Sequence, residues 1–547
     1  MNLSIEYITN GTIKQTSGSG NGDISAEVTV SGNRTKVTVS AKRDLRLLSA
    51  KLSEPYDYAP DCRIFVNGYQ SWTDTREFRL PEELHTVLDK PEVIRYKSHY
   101  AGHGDERFRK YRRGCLHGYT YGYVRQASGG AELFGSYNEE NAWLVTVFDK
   151  RHHRLILESD CDGKEIRAGE EFILYDFIRL KGRLADISRE YFSGFGKCER
   201  EPIRGYTSWY LHYQDIDLEK MNTALSQLDP ADYDLFQIDD GYQTYVGDWM
   251  DVDGWKFPEG LDELVEKIHA KGLLAGLWMS PFLCEKESRV HKLHPDWIYR
   301  ENNEEVLAGN NWSGAVILDI RKQEVRDYIK ECLVFYSNMG FDLFKLDFLY
   351  AAALIHENTG ITRAEMMRQA MKFLRECLPD KLILGCGVPL SAAFGLVDYC
   401  RIGTDVSLKF DDDPYMRLMH RERVSTKWCL VNTIFRSFMD GYVFRNDPDV
   451  YLLRDKDIEL SKDQRRALVM LNHLFGAVYM TSDNVGEYND EKRQLLAEAQ
   501  KLTAAEVKDI RMNGKIVRID YVLEGKEEVL FYDTAKGILA DKDPFEV

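Results

Sequence analysis

The feature that most constrains the fold is a repeated alternation of a short apolar run, a polar turn and an amphipathic helix, starting near residue 203. Eight apolar runs are candidate strands, at 205–211, 233–240, 273–282, 315–320, 341–348, 381–387, 399–405 and 441–447. Two helical segments between them, LDELVEKIHAKG and QEVRDYIKECLVFYSNMG, end in glycine as helix C-caps do. Eight strand–helix units in about 250 residues are typical of a closed barrel. The sequence therefore predicts an α/β fold with a (β/α)8 TIM barrel over residues 203–503.

The two ends of the chain have a different pattern. Residues 1–202 contain short β-branched or aromatic segments such as TKVTVS, AWLVTVF and EFILYDFIRL, which predict an N-terminal β-sandwich domain. The run ALVMLNHLFGAVYMTSD, after the last candidate strand, is interpreted as helical. KIVRIDYVL and EEVLFYDT then alternate like strands, so residues 504–547 are expected to form a small C-terminal β appendage packed on the barrel.

Charge narrows the class of partner. The 72 basic and 89 acidic residues give a net charge of -17, which repels polyphosphates and anionic membranes. We therefore expect neither nucleic acid nor membrane as a partner, and a neutral small molecule as the substrate. The N-terminal MNLSIEYITN has no basic or apolar signal region, and no apolar stretch approaches about eighteen residues, so a cytoplasmic location is expected.

Cysteine and histidine usage gives little sign of a metal site. The ten cysteines are scattered without a CxxC pair, which indicates reduced thiols rather than a disulfide frame or a zinc site. His291 and His294 in VHKLHPDW are the nearest approach to a metal pair, but their spacing ahead of a proline is more typical of a helix end. No metal or organic cofactor is expected.

Polar side chains end nearly every candidate strand of the barrel. They are Asp239 and Asp240, Asp319, Asp347, Cys386, Arg401 with Asp405, and Asn446 with Asp447. One Asp after a strand is often the N-cap of the next helix. Repetition at nearly every strand is better explained by a site at the C-terminal mouth of the barrel, where catalysis is built from several strands.

Two of these aspartates suit the two roles of a retaining glycosidase. Lys345 and Asp347 share one face of their strand, and a lysine beside Asp347 keeps this carboxylate ionised, as a nucleophile requires. The alternative is a structural ion pair that closes the barrel. Asp405 lies four residues after Arg401, beyond a Gly-Thr turn, and is the candidate general acid; here the alternative is a helix N-cap.

The consecutive Asp239 and Asp240 are the candidate ligand-holding pair. Adjacent carboxylates repel each other, so a ligand with several hydroxyl donors, such as a sugar, explains them well. A divalent cation would serve electrostatically, although no nearby histidine or third carboxylate completes a site. The same rim carries aromatic side chains that can stack on a pyranose, with core filling as the alternative for each. These are Trp209, Trp249, Trp278 and, from the first domain, Trp72 in VNGYQSW.

A family resemblance joins these motifs. YTSWY, FQIDDGYQ, GDW, GLWMSPF, LFKLDF, ILGCGVPL and CRIGTD resemble, in order and spacing, the compact form of glycoside hydrolase family 36, the α-galactosidases related to family 27. The resemblance spans residues 203–449, and NGYQSW extends it into the β domain.

The resemblance implies a role for each matching residue. It makes Asp347 the nucleophile and Asp405 the acid and then base of a double displacement on terminal α-galactosides. It places Asp239 and Asp240 on O4 and O6 of galactose, Lys345 on O3 and O4, and Arg401 near O2. It also implies Cys386 and Gly387 on the O2 side, Trp249 and Trp278 in the pocket wall, and Trp72 closing the site.

Two departures bear on the choice of sugar. Long family members carry a CSGGG-type motif where this chain has CGVPL at 386–390, and SLKFDDD after Asp405 lacks an aromatic-rich pattern. Both lie on the side of O2 and the leaving group. The same mechanism on another α-glycoside, such as an α-N-acetylgalactosaminide, therefore stays open.

Two further alternatives concern the class of protein. A Schiff-base aldolase would use Lys345, although Asp347 two residues away raises rather than depresses a lysine pKa. A non-catalytic sugar-binding barrel is the other class, although both aspartates and their flanking residues are present. A homo-oligomer with a pocket bordered by a neighbour's loop is one arrangement open to such a protein.

Overall fold

A computed structural model describes residues 1–79, 82–84, 113–127, 129–356, 359–411 and 425–540. Residues 412–413 of SLKFDDD and residues 541–547 of the expected C-terminal appendage lie outside them. Within the described residues, no helix combines the length and the apolar character needed to cross a bilayer.

The first part of the chain forms two antiparallel sheets. Its strands are β1 Asn2–Thr9, β2 Thr12–Ser17, β3 Ile24–Ser31, β4 Arg34–Ala41, β5 Leu45–Pro55, β6 Arg63–Val66, β7 Arg76–Phe78, β8 Cys115–Tyr119, β9 Tyr121–Arg125, β10 Ala131–Ser136, β11 Leu144–Asp149, β12 Arg154–Ile166 and β13 Glu171–Gly182. The strand orders are β2-β1-β5-β12-β11-β8 and β3-β4-β13-β10-β9-β6-β7. Ile5 and Leu47 of one sheet share a buried cluster with Val39 and Phe172 of the other, so the sheets pack as a sandwich.

The middle of the chain forms a parallel barrel with a strand excursion. Its strands are β14 Ile203–Thr207, β15 Leu235–Ile238, β16 Leu274–Met279, β17 Leu283–Glu285, β18 Arg300–Glu301, β19 Glu304–Glu305, β20 Leu307–Gly309, β21 Ala315–Ile317, β22 Leu343–Leu346, β23 Leu382–Gly385, β24 Tyr399–Arg401, β25 Arg445–Asp447, β26 Val450–Tyr451 and β27 Val478–Thr481. The barrel order is β14-β15-β16-β22-β23-β24-β25, and the ring closes through β26 and β27 back to β14. β25 and β26 together form one barrel strand, which is interrupted at residues 448–449. Counted this way, the barrel has eight strands.

Helices connect the barrel strands. They are α1 Leu184–Ser193, which precedes the barrel, α2 Trp209–His212, α3 Leu218–Gln227, α4 Asp262–Ala270, α5 Arg289–Leu293, α6 Gln323–Met339, α7 Arg363–Cys377, α8 Thr426–Phe435, α9 Lys462–Phe475 and α10 Asp490–Lys501. The expected glycine stop of α6 is confirmed, since Gly340 caps it with φ of 115° in the left-handed region. The (β/α)8 fold is also confirmed.

One of the eight predicted barrel strands is wrong, and one barrel strand was missed. The segment 315–320 supplies β21, which pairs antiparallel with β17 and β20 in an excursion between β16 and β22, so Asp319 is not a barrel strand end. The true last strand is β27, within the run that was interpreted as helical. Helix α9 stops at Phe475, and the β-branched and aromatic VYMT follows Gly476. Apolar content alone does not distinguish the buried helix from the buried strand that follows it in the sequence.

The C-terminal segment forms one antiparallel sheet. Its strands β28 Glu506–Asn513, β29 Ile516–Leu523, β30 Lys526–Asp533 and β31 Ile538–Ala540 lie in sequence order. β31 packs on α9 of the barrel. The sheet also contacts the sandwich, because Arg125 pairs with Asp509 at 2.9 Å and donates to the Ile510 carbonyl at 2.6 Å.

A buried arginine attaches the sandwich to the barrel. Arg436, directly after α8, is fully buried and donates to the carbonyls of Gln70 and Ser71, each at 2.8 Å, and to the Ile402 carbonyl at 2.6 Å. Asn432, one turn earlier, donates to the carbonyls of Ser71 and Thr73. The segment 67–75, which contains NGYQSW, is therefore held against the barrel by backbone groups that have lost water.

We expect Arg436→Met to destabilise the protein by about 3 kcal/mol, because several buried carbonyls lose their donor. The measurement is the midpoint of urea unfolding followed by tryptophan fluorescence. Arg183→Met, which replaces an exposed arginine at the start of α1, is the control and should leave the midpoint unchanged. Equal midpoints for Arg436→Met and the wild type would contradict this account of the domain attachment.

Candidate active site

Six carboxylates and two cations lie at the C-terminal ends of the barrel strands, called the barrel mouth below. The carboxylates are Asp239, Asp240, Asp347, Asp405, Asp447 and Asp449, and the cations are Lys345 and Arg401. Seven of the eight are predicted from the sequence; Asp449 is the addition. The carboxylates outnumber the cations, so several of them compete for Lys345 and Arg401.

Lys345 forms its ion pair with Asp239 and not with Asp347 as we expected. The Nζ–Oδ2 distance to Asp239 is 2.8 Å, and both side chains are buried. Burial disfavours the charge on Lys345, but the Asp239 carboxylate together with Cys386 and Asp347 outweighs burial and leaves the lysine pKa raised. The alternation of the strand brings Lys345 to the mouth, whereas its partner comes from β15, two strands away in the barrel order.

Asp240 is held by three N–H donors. Its carboxylate accepts from Gln243 Nε2 at 2.6 Å, Gln214 Nε2 at 2.8 Å and Trp312 Nε1 at 3.0 Å. Burial nevertheless raises the pKa of Asp240. Sequence reasoning missed all three donors. Gln243 was within reach of prediction, because it belongs to the strand-end motif FQIDDGYQ. Trp312 was not, because it lies in the loop between β20 and β21, outside the repeating strand–helix pattern of the barrel.

Asp347 is oriented by two N–H groups and a glycine. Trp278 Nε1 donates to Oδ2 at 3.2 Å, and the Phe348 backbone N–H donates to Oδ1 at 2.7 Å. Gly387 has φ of +59°, and a Cβ there would lie 3.4 Å from Asp347 Oδ1 and 3.3 Å from the Phe348 nitrogen. Cys386 is buried beside it, where burial raises its thiol pKa. The structure thus brings Trp278, Asp347, Cys386 and Gly387 together as the pattern predicted.

Arg401 is shared by three carboxylates. Its Nη1 donates to Asp405 at 2.8 Å, its Nε to Asp447 at 2.9 Å, and its Nη2 lies 2.8 Å from Asp449. The arginine is 3% exposed and the Asp405 side chain 30% exposed, so Asp405 is the one of these groups open to a ligand. Burial raises the pKa of the Asp405 carboxyl to about 7, Arg401 opposes the rise, and Asp449 adds to it.

The predicted aromatic residues divide into two groups. Trp249 is 1% exposed and packs edge-to-face on Trp278, with ring centroids 5.7 Å apart, while Trp278 lies 6.1 Å from Trp312. Trp249 therefore supports the other two indoles. Trp209 is half-buried at the start of α2, and Trp72 is half-buried in the segment held by Arg436.

Three residues at the mouth other than glycine have left-handed backbone. Phe348 and Trp312 each have φ of 54°, and Asp449 has φ of 74°. Such conformations cost free energy for residues other than glycine, and they persist where contacts with the surrounding structure compensate that cost. Each of these residues contacts one of the aspartates or is one.

The histidine pair has structural partners instead of a metal. His291 contacts Glu305 at 3.2 Å, and His294 stacks on Trp297 with ring centroids 3.9 Å apart, after the end of α5. This confirms the interpretation as a helix end. Within the described ranges, no group of three or more His, Cys, Asp or Glu side chains has the arrangement of a metal site.

Comparison with known proteins finds similarity to one family in the first part of the barrel. The model of the Melibiase family matches residues 195–372. Alpha-galactosidase Mel36A of Lactobacillus acidophilus is 28% identical over 159 residues, covering 28% of this chain and 21% of the relative. Alpha-galactosidase AgaA of Geobacillus stearothermophilus is 30% identical over 133 residues, covering 23% and 18%. The aligned segments thus span about a fifth of these curated relatives.

Solved structures extend the similarity to nearly the whole chain. TtGalA, an α-galactosidase from Thermus thermophilus in complex with p-nitrophenyl α-D-galactopyranoside, superposes with a TM-score of 0.68 and 25% identity, covering 92% of this chain and 98% of that one. The crystal structure of AgaA from Geobacillus stearothermophilus gives a TM-score of 0.59 at 16% identity, covering 93% and 72%, and supports the fold. In the barrel, the sandwich and the order of the mouth motifs, the chain is thus similar to the α-galactosidases of glycoside hydrolase family 36.

Proposed function

We propose that this protein is a retaining α-galactosidase that removes terminal α-D-galactosyl residues from oligosaccharides. The observation that carries the proposal is the contrast between Asp347, held by two N–H donors, and Asp405, whose carboxyl pKa is raised to about 7 in the same mouth. One ionised and one protonated carboxyl are what double displacement requires. The likeness to TtGalA, solved with an aryl galactoside and with stachyose, supports the sugar.

In this mechanism Asp347 attacks the anomeric carbon while Asp405 donates its proton to the leaving oxygen. The C–O bond to the leaving group breaks, and a covalent glycosyl-enzyme forms on Asp347. Asp405, now a carboxylate stabilised by Arg401 Nη1, takes a proton from water, which attacks the anomeric carbon and restores both groups. The two carboxyls of such an enzyme are expected about 5 to 5.5 Å apart.

The remaining mouth residues are proposed to hold the galactose. Asp239 and Asp240 would bind O4 and O6, and Lys345 would bind O3 and O4 from its ion pair with Asp239. Arg401, Cys386 and Gly387 would lie near O2. Trp278 would form part of the wall with Trp249 behind it, and Trp72 and Trp209 would border the entrance.

The mouth residues also bear on two alternative functions. The raised pKa of Lys345 opposes a Schiff-base aldolase, which needs a neutral amine. An α-N-acetylgalactosaminide is distinguished from a galactoside only at the O2 side, where the CGVPL segment departs from the long family members. Hydrolysis of a panel of aryl α-glycosides, with the product anomer followed by NMR, separates these sugars and tests retention.

Ten free thiols, eight buried and two half-buried, support a proposed location in a reducing compartment such as the cytoplasm. Whether copies of the chain associate is a separate proposal, which size-exclusion chromatography with light scattering would test.

Substitution of the two aspartates should have different consequences. We expect Asp347→Ala to lower kcat at least about 10³-fold with every galactoside, because no covalent intermediate forms. Asp405→Ala should retain rapid glycosylation with a 2,4-dinitrophenyl leaving group and gain turnover with azide. Steady-state and burst kinetics measure both. Asp319→Asn, in the excursion and paired with Arg321, is the control and should remain active. Equal losses in both alanine variants with both leaving groups would contradict the assignment.

The pH dependence follows from the raised pKa of Asp405. Below about 7 the free enzyme holds the proton that the leaving oxygen needs, and above it the proton is lost. We therefore expect kcat/KM for stachyose to fall about tenfold per pH unit above neutrality. With the dinitrophenyl galactoside, which needs no acid, this alkaline limb should be absent. A shared alkaline limb for both substrates would exclude Asp405 as its source.

A further inference from the structure

Asp449 has a position that the proposed mechanism does not use. It lies in the interruption between β25 and β26, is 2% exposed, and has φ of 74°. Its Oδ1 is 2.8 Å from Arg401 Nη2, and its Oδ2 accepts from the Val406 backbone N–H at 2.6 Å and from the Tyr210 hydroxyl. A strained residue with this many donors on one carboxylate is held there by the fold.

The donors decide which carboxyl of the group carries a proton. Asp449 receives three donors, from Arg401, Val406 and Tyr210. Asp405 receives one side-chain donor among the described residues, Arg401 Nη1. Burial raises the pKa of both carboxyls. Donors to the ionised form favour it, so the charge is favoured on Asp449, which has three donors, and the proton on Asp405, which has one.

We propose that Asp449 is a positioning residue that keeps Asp405 protonated before bond cleavage, by occupying Arg401 and placing a fixed negative charge beside the acid. This inference rests on the proposed function. Other charged or titratable groups that face Asp405 come from neighbouring elements. They are Arg401, Lys345, Asp347, Cys386, Cys429, Tyr210 and Tyr213.

The arrangement also explains how Asp405 changes from acid to base. When its proton passes to the leaving oxygen, Asp405 becomes a carboxylate that Arg401 Nη1 already contacts. Asp449 and Asp447 limit that stabilisation because they occupy Nη2 and Nε of the same guanidinium. Asp405 can therefore accept the proton of the attacking water in the second step.

The test is the pH profile of Asp449→Asn, which keeps the shape of the side chain and tolerates positive φ. Removing the charge should move the alkaline limb of kcat/KM for stachyose to lower pH by about one unit or more. Its rate with 2,4-dinitrophenyl α-D-galactopyranoside should stay near that of the wild type. Asp447→Asn, which also frees Arg401 but leaves Asp449 beside the acid, should give a smaller shift.

Two results overturn the inference. The first is an alkaline limb of kcat/KM for stachyose that stays at the wild-type pH in Asp449→Asn. The second is an equal loss of rate with both substrates, which indicates a structural role. A wild-type enzyme inactive on both galactosides overturns the proposed function and the inference together. An active wild type with an unmoved limb overturns the inference alone.

A second, independent observation concerns Trp255. Its side chain is 97% exposed, although tryptophan is a largely buried residue type. The Trp255 backbone N–H donates to Asp253 Oδ1 at 2.9 Å, and Phe257, two residues later, is buried, so the backbone beside the indole is anchored. The indole therefore offers an accessible aromatic face to a ligand.

The surroundings of Trp255 connect it to the mouth. Lys256 Nζ donates to the carbonyls of Gln214 and Gly241, at 2.9 and 2.8 Å, and the Gln214 side chain donates to Asp240. Beside the indole, an open groove runs along α3. It is lined by Asp217, Glu219, Asn222, Thr223, Ser226 and Pro258. Carboxylate, amide and hydroxyl groups beside one aromatic face are the chemistry that recognises a sugar.

We infer that Trp255 and this groove form a remote sugar subsite, which binds units of an oligosaccharide beyond the bond that is cleaved. This too rests on the proposed function. The subsite would contact only substrates longer than one glycosyl unit with its aglycone. Its effect should therefore be seen with an oligosaccharide and not with an aryl galactoside.

Trp255→Ala should lower kcat/KM for stachyose about three- to tenfold, through KM, because the loss of one stacking contact is worth about 1 kcal/mol. It should leave p-nitrophenyl α-D-galactopyranoside unchanged, and Trp255→Phe should recover part of the loss. Phe335→Ala, a surface aromatic of α6 that is 41% exposed, is the control. An equal effect of Trp255→Ala on both substrates, no effect on either, or a change in oligomeric state instead would overturn the subsite. If the wild type hydrolyses the aryl galactoside, the proposed function stands, and these outcomes overturn the subsite alone.

Discussion

The buried guanidinium of Arg401 is the interaction on which the site depends. It is the one cation that Asp405, Asp447 and Asp449 share, and each carboxylate takes a different nitrogen. Because one guanidinium serves three carboxylates, it does not offset the effects of burial and of Asp449 on Asp405, and the pKa of Asp405 stays raised. The competition for Arg401 therefore supplies an acid, whereas a simple Arg401–Asp405 pair would have held Asp405 ionised.

A second buried cation joins the sandwich to the barrel. Arg436 has carbonyl oxygens instead of carboxylates as its close partners, and those carbonyls belong to the segment 67–75 of the sandwich and to Ile402 after β24. The strand that carries Arg401 and the segment that carries Trp72 are thus joined through one side chain. The sandwich is coupled to the site by hydrogen bonds that neither part could satisfy alone.

The accuracy of sequence interpretation differs between residue classes. Strand-end residues such as Asp347, Arg401 and Asp405 were predictable because a parallel barrel brings all its strand ends to one mouth. Asp319 was placed there wrongly, since AVILDI has the same local pattern but pairs antiparallel in an excursion. Trp312 and Gln214 were not predictable, because they reach Asp240 from loops whose paths no periodicity describes.

By itself, the sequence determined the (β/α)8 class, the flanking β regions and most of the mouth residues, because strand alternation and strand-end chemistry are local properties. Only the tertiary structure decided the pairing of charges. Lys345 shares a face with Asp347 but pairs with Asp239, and Arg401 divides itself between Asp405, Asp447 and Asp449. Which carboxylate a cation meets depends on the distances between strands around a closed ring, and spacing along the chain does not contain them.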